Sequence, residues 1–238
     1  MNRFFVSDIG PDEAVITGED LKHLVSVLRL RKGDHVMLSD GRGSECEGEI
    51  EHVEPGRARV KTGHWRPCVS EPHHKLTLFQ CLPKAGKMET IIQKSTELGM
   101  NALVPTRSAR CVVQPGRDFD KKLQRYRKVA REAAMQSHRG FIPEVLPLVE
   151  LKQADLSIFD TVYVAYEGEK EQSLKHVMAD RPGRRIALFV GPEGGFEPDE
   201  VACLVKKGAK VVSLGPRILR TETAGMAMVA QILFELGE

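Results

Sequence analysis

The chain has 238 residues, 41% hydrophobic and 29% charged, with a formal net charge of +2. That length buries one large core or two smaller ones, and the composition is that of an ordinary globular protein. No apolar run is long enough to span a bilayer, and the opening Met1-Asn2-Arg3-Phe4-Phe5-Val6 lacks a long apolar stretch with a small-residue cleavage site, so a cytoplasmic location is expected.

In chain order, short apolar runs at Phe4–Val6, Ala14–Thr17, His35–Ser39, Glu45–Val53 and Ala58–Thr62 alternate with the turn signals Gly10-Pro11, Lys32-Gly33-Asp34, Asp40-Gly41 and Pro55-Gly56. This predicts a small β-barrel-like domain, interrupted by one helix from about Asp20 to Leu30. Arg66-Pro67 and Glu71-Pro72 break the pattern, which puts a domain boundary at 72/73. Beyond it the rhythm changes. Strands are predicted at Leu76–Cys81, Ala102–Pro105, Glu144–Leu146, Thr161–Ala165, Ile186–Val190 and Lys210–Leu214. Helices are predicted at Lys87–Gly99, Phe119–Ser137, Gln172–Ala179, Pro198–Lys207 and Thr223–Leu236. Strands alternating with helices imply an α/β domain with a mainly parallel, two-sided sheet.

The five cysteines (Cys46, Cys68, Cys81, Cys111, Cys203) are odd in number and form no CxxC pair. They read as reduced thiols, Cys81, Cys111 and Cys203 sitting among apolar neighbours as small hydrophobes. Charge is unevenly spread. Between Pro105 and Arg139 stand ten Lys or Arg against three acids, a local net of +7 on a chain of +2. Such a stretch suits contact with a phosphate backbone, and equally suits a solvated basic helix face.

Ligands of open α/β sheets bind beyond the carboxyl ends of strands, and two loops fall there. Gly191-Pro192-Glu193-Gly194-Gly195-Phe196-Glu197-Pro198 lets backbone approach a ligand closely. It is not GxGxxG, and Glu193 sits where a phosphate cradle avoids an acid, so it suits a ligand that is cationic or rich in hydroxyl and amino groups. Leu214-Gly215-Pro216-Arg217-Ile218-Leu219-Arg220-Thr221-Glu222-Thr223-Ala224 offers apolar side chains for a flat ring. It also offers Thr221 or Thr223 as a helix cap, and Arg217 and Arg220 for phosphate or a carbonyl oxygen.

The order of Met88–Gly99 (METIIQKSTELG), Glu132–Ser137, GPEGGF and RILRTETA, with His23-Leu24, Val27–Leu30 and Lys32-Gly33-Asp34 earlier, resembles the bacterial 16S ribosomal RNA uridine-N3 methyltransferases of the SPOUT superfamily, over nearly the whole chain. The resemblance implies a PUA-like RNA-binding β-barrel at 1–72 and a trefoil-knotted α/β methyltransferase domain at 73–238. It further implies S-adenosylmethionine as methyl donor, a homodimer, and 16S rRNA in the small ribosomal subunit as partner. Carried over residue by residue, donor-binding positions are Gly191, Glu193, Gly194, Leu214, Gly215, Ile218, Leu219 and Arg220. The chain departs from the family pattern at Met135 and His138, and reads Lys84-Ala85-Gly86-Lys87 where Lys-Gly-Asp-Lys is the family's run.

Uracil N3 must lose its proton before it attacks, and the charge spreads to the two ring oxygens, so a cation there is needed. Arg220 is the catalytic candidate for that contact and Glu222 a weaker candidate base, or a group that orients Arg220. RNA is expected on Arg3, His23, Arg29 and Arg31 of the first domain and on Arg125, Arg131 and Arg139 of the second. No metal is expected, since His73-His74 and the scattered histidines lack ligand spacing. Two rivals stand beside this reading. One is a non-catalytic RNA-binding ribosome-assembly factor. The other is a nucleotide-cofactor oxidoreductase, against which the missing GxGxxG counts.

Overall fold

The computed structural model describes residues 1–84, 86–116 and 118–238. Ala85 of the Lys84–Lys87 run and Arg117 of the basic stretch lie outside the described residues. The chain divides into two compact units: Met1–Glu71 with Ala134–Ile142, and Pro72–Ala133 with Pro143–Glu238. The division is therefore not a single cut, because a nine-residue excursion returns to the first unit.

The first unit holds β1 (Arg3–Phe5), β2 (Asp8–Ile9), β3 (Glu13–Thr17), α1 (Gly18–Lys22), β4 (His35–Ser39), β5 (Ser44–Glu54), β6 (Arg57–Thr62) and β7 (Arg66–Pro67). They form one sheet in the order β1-β4-β5-β6-β3-β2, with β7 on β5; only β1–β4 is parallel. Alternation along β3, β4 and β6 sends Ala14, Ile16, Val36, Leu38, Ala58 and Val60 into one core with Phe4, Leu24 and Ile50. The single helix expected over Asp20–Leu30 is instead α1 followed by a π-helical turn, His23–Val27. Only Leu24 of that turn is buried, and Arg29 adopts a left-handed φ of 55° that ends the helix.

The returning segment is fastened by charge. Glu71 accepts from Arg139 (2.9 and 2.8 Å) and from the Gly140 and Phe141 N–H groups (2.7 and 3.1 Å). Arg3 donates to Glu45 at 2.6 Å and to the Arg139 carbonyl at 3.2 Å. A Cβ at Gly140 would stand 2.5 Å from the Cys68 Cβ, so only glycine lets the strand pass there.

The second unit holds β8 (Lys75–Cys81), α2 (Lys87–Glu97), β9 (Ala102–Arg107), most of α3 (Phe119–Gln136), β10 (Glu144–Val145), β11 (Val149–Glu150), β12 (Thr161–Ala165), α4 (Leu174–Val177), β13 (Arg185–Val190), α5 (Pro198–Lys206), β14 (Lys210–Val212) and α6 (Thr221–Leu236). Every pairing in its sheet is parallel, in the order β10-β9-β8-β13-β12-β14, with β11 also on β9. The central strands are apolar on both faces; Leu76, Leu78, Ile186, Ala187, Leu188 and Phe189 are all fully buried. That is the pattern of a sheet covered by helices on both sides. Parallel pairing also brings the carboxyl ends of β8, β12, β13 and β14 to one edge, where both loops singled out in the sequence lie.

Candidate active site

Both loops open onto one cleft of about 1170 Å³ at that edge. The structure brings Gly191, Glu193, Gly194, Leu214, Gly215, Ile218, Leu219 and Arg220 together around it. The glycine loop follows β13 and turns back tightly. Gly195 has φ 67°, a left-handed conformation that favours glycine, and a Cβ there would push the Glu167 carboxylate aside. At Gly191 a Cβ would stand 3.3–3.4 Å from the Gly195 backbone.

The loop is held from outside by a residue that sequence reading counted only as part of the basic stretch. Arg110 donates to the Gly194 carbonyl at 2.8 Å and to both Glu197 oxygens at 2.8 and 3.1 Å. Glu197 is also the N-cap of α5, in a reciprocal capping box with Glu200 and with Pro198 at the first helical position. The second Glu200 oxygen accepts the Ala109 N–H at 2.8 Å. Glycine loop, helix start and the segment after β9 therefore form one hydrogen-bonded block.

The second loop leads into α6. Its N-cap is Arg220, with no side-chain cap bond, so the threonine cap expected from sequence is absent. Thr221 is instead a cross-link. Its hydroxyl donates to the Gly191 carbonyl at 2.5 Å and accepts from Gln80 Nε2, at the end of β8, at 2.9 Å. Arg220 is exposed and its guanidinium makes no hydrogen bond among the described residues. Ile218 is 86% exposed on the lining. An uncovered apolar side chain beside an unspent cation is what a cleft shaped for a partly flat, partly anionic guest presents.

Lys87, the first residue of α2, was not singled out in the sequence. Its ammonium lies 3.0 Å from Glu193 and 3.1 Å from Glu222. Glu193 also accepts the Lys84 N–H at 3.0 Å. Desolvation pushes the Glu193 carboxyl up, but the Lys84 N–H, its own N–H and Lys87 outweigh this and hold it below the usual value. Glu222 behaves alike: burial raises it, while its own N–H, Lys87 and the charge of Arg220 bring it lower. The two carboxylates in turn raise Lys87, so the three groups are ionised together. Glu222 is thus ion-paired with Lys87, and it makes no hydrogen bond to Arg220 among the described residues.

The expected RNA-contact residues divide. Arg3 (8% exposed) and Arg139 (2% exposed) are buried and bound to Glu45 and Glu71; this corrects their assignment, because a guanidinium enclosed by its carboxylate partner has no face left for a phosphate. His23, Arg29 and Arg31 are exposed. Arg125 is exposed while paired with Glu89 at 3.0 Å, and Arg131 is half-buried.

The sequence matches the family model of an RNA methyltransferase domain over residues 70–233 and that of an RNA methyltransferase PUA domain over residues 16–62. It is 35% identical to ribosomal RNA small subunit methyltransferase E of Bacillus subtilis (strain 168), covering 92% of this chain and 89% of that one. To the same-named protein of Mycobacterium bovis it is 37% identical, covering 96% and 90%. The crystal structure of ribosomal RNA small subunit methyltransferase E from Neisseria gonorrhoeae bound to S-adenosyl methionine superposes with a TM-score of 0.83 at 28% identity, covering 98% of this chain and 97% of that one. The matched domains define the class: this is an RNA methyltransferase with a PUA domain. Within that class the chain belongs to the small-subunit ribosomal RNA methyltransferase E family.

Proposed function

We propose that this protein methylates N3 of one uridine in the decoding region of 16S rRNA, with S-adenosylmethionine as donor and the assembled small ribosomal subunit as substrate. One observation carries the reading: a glycine-built cradle, the ionised Glu193 and the exposed Arg220 line a single cleft, with Glu222 paired to the lining Lys87. The residues fit such a donor. A Cβ at Gly191 would stand 3.3–3.4 Å from the Gly195 backbone, Gly195 holds a left-handed φ of 67°, Gly215 has nothing within 4 Å of a Cβ, and Glu193 complements a cation. When bound, S-adenosylmethionine supplies a methyl group made electrophilic by its sulfonium.

Gly191, Glu193, Gly194, Leu214, Gly215, Ile218, Leu219 and Arg220 are the residues that would hold it. Arg220 is the catalytic group: it stabilises the charge that develops on the uracil oxygens as N3 loses its proton. Glu222 is the proton acceptor in this scheme. It is a weak base, ionised at neutral pH, so the larger share of rate rests on Arg220 and on alignment. Residues 1–72 are the PUA-like RNA-positioning domain. His23, Arg29 and Arg31 there, with Arg125 and Arg131 in residues 73–238, supply phosphate contacts. The target base is extruded into the cleft. The family resemblance extends the reading to a trefoil knot in the second domain, a homodimer and a cytoplasmic enzyme.

The test is incubation of the protein with labelled methyl donor and undermethylated small subunits, followed by mapping of the modified nucleotide. Label on N3 of a single 16S uridine is expected. Failure to label, with intact RNA binding, would favour the assembly-factor reading. Arg220→Ala should lose at least ~10²-fold in turnover while donor binding stays measurable; near-normal turnover sinks its role.

A further inference from the structure

Lys87 sits at a junction that the glycine loop and the arginine loop do not explain. Its ammonium stands within 3.1 Å of carboxylates from two different segments, Glu193 after β13 and Glu222 on the first turn of α6. It enters from a third, the start of α2, whose N-cap Gly86 has φ 83°. We infer that Lys87 is a positioning residue for the methyl donor: it clamps the glycine loop to the last helix and keeps Glu193 and Glu222 both ionised toward a cationic ligand.

The inference rests on the donor reading given above. The physical need is plain. Two carboxylates that share one nitrogen neighbour repel each other once that nitrogen is removed, and one of them then binds a proton more readily. With Lys87 in place the three groups carry one net negative charge, which favours a sulfonium-bearing donor over its neutral demethylated product. The clamp also closes a ring of contacts. Gln80 holds Thr221, Thr221 holds the Gly191 carbonyl, and Lys87 joins the same two segments through their acids. Arg220 faces Glu222 from the loop before α6, the Lys84 N–H faces Glu193, and Glu167, Glu169, Lys170 and Arg217 line the remaining walls of the cleft. None of these replaces Lys87 between the two carboxylates.

Two measurements on the full chain test this, with Lys87→Met and Lys87→Arg as variants. The first is the carboxyl titration of Glu193 and Glu222 by carbon-detected NMR without any ligand. In Lys87→Met at least one midpoint should rise by about one pH unit or more, and in Lys87→Arg neither should. Unchanged midpoints in Lys87→Met overturn the inference whatever the donor is. The second is calorimetric affinity for S-adenosylmethionine between pH 8 and pH 5.5. Wild type and Lys87→Arg should vary little, while Lys87→Met should lose about twofold more affinity at pH 5.5 than at pH 8. A loss of the same size at every pH would mean that Lys87 only braces the fold. A wild-type protein that binds no S-adenosylmethionine would overturn the donor reading itself, and with it the positioning role.

Discussion

At the scale of single residues, burial and partner decide what a charge is for. Arg3 and Arg139 look in the sequence like two of many surface cations. In the structure they are the buried halves of ion pairs with Glu45 and Glu71. Replacing Glu71 by Gln removes the negative charge that faces the enclosed Arg139 guanidinium, so the first unit should lose about 3–5 kcal/mol. Trp65, the one tryptophan, packs against the first unit's core, so its fluorescence during urea unfolding reads that unit directly. Acid should act on the same pairs. Burial raises both carboxyls, but the arginines hold Glu45 and Glu71 below their usual 4.5, so each binds a proton less readily folded than unfolded. Their contribution is complete above pH 4.5 and is lost as pH falls below it. The Trp65 transition should therefore shift to lower urea between pH 5 and pH 3, and by less in the Glu71→Gln variant. Equal shifts in both proteins would place the acid sensitivity elsewhere.

At the scale of elements, periodicity made most of the fold legible. His35–Ser39 and Thr161–Ala165 are strands with the predicted bounds, and α2, α3 and α5 begin where they were expected. What sequence could not show is what depends on partners far along the chain. Strands β2, β7 and β11 have two residues each and exist through their neighbours. The π-turn at His23–Val27 buries only Leu24, too little apolar periodicity for the sequence to show its register. In the site, the residues of GPEGG and ILRTET were readable because they cluster. Lys87, Arg110 and the cross-linking role of Thr221 were not, because their partners lie 106, 84 and 30 positions away. These contacts make the two loops one element in function. Thr221→Val keeps the shape but deletes both hydroxyl bonds, which should destabilise the second unit by about 1–3 kcal/mol. Arg110→Met should free the Gly194 carbonyl and weaken S-adenosylmethionine binding by roughly tenfold, the scale of one charge-assisted contact. Calorimetric titration reads that loss. An unchanged affinity would show that the glycine loop holds its form without the clamp.

At the scale of the whole molecule, the basic stretch between Pro105 and Arg139 turns out to serve two ends. Arg139 is buried against Glu71, while Arg107, Arg110 and Arg127 stay at least partly exposed and are tied to Glu150, Glu197 and the Val145 carbonyl. Lys121, Lys122 and Arg125 stay on the exposed side of α3. A count of charge along the sequence therefore overstates the cations offered to a phosphate backbone, although the stretch still carries exposed ones. Each phosphate contact releases counterions, so affinity for RNA falls with salt in proportion to the contacts made, at a slope of about −0.7 per contact on single strands. The donor cleft takes a small ligand, whose binding releases no condensed counterions, and should show almost no such slope. Measured by filter binding on a 16S fragment, Lys121→Gln, Lys122→Gln and Arg125→Gln combined should flatten the salt slope and leave S-adenosylmethionine affinity within about twofold of wild type. Arg107→Gln should flatten the slope less, because that guanidinium is only 40% exposed and paired with Glu150, whereas the Lys121 and Arg125 side chains are 84% and 70% exposed. If the two sets of variants flatten the slope alike, the division of the basic stretch into bound and offered cations is wrong.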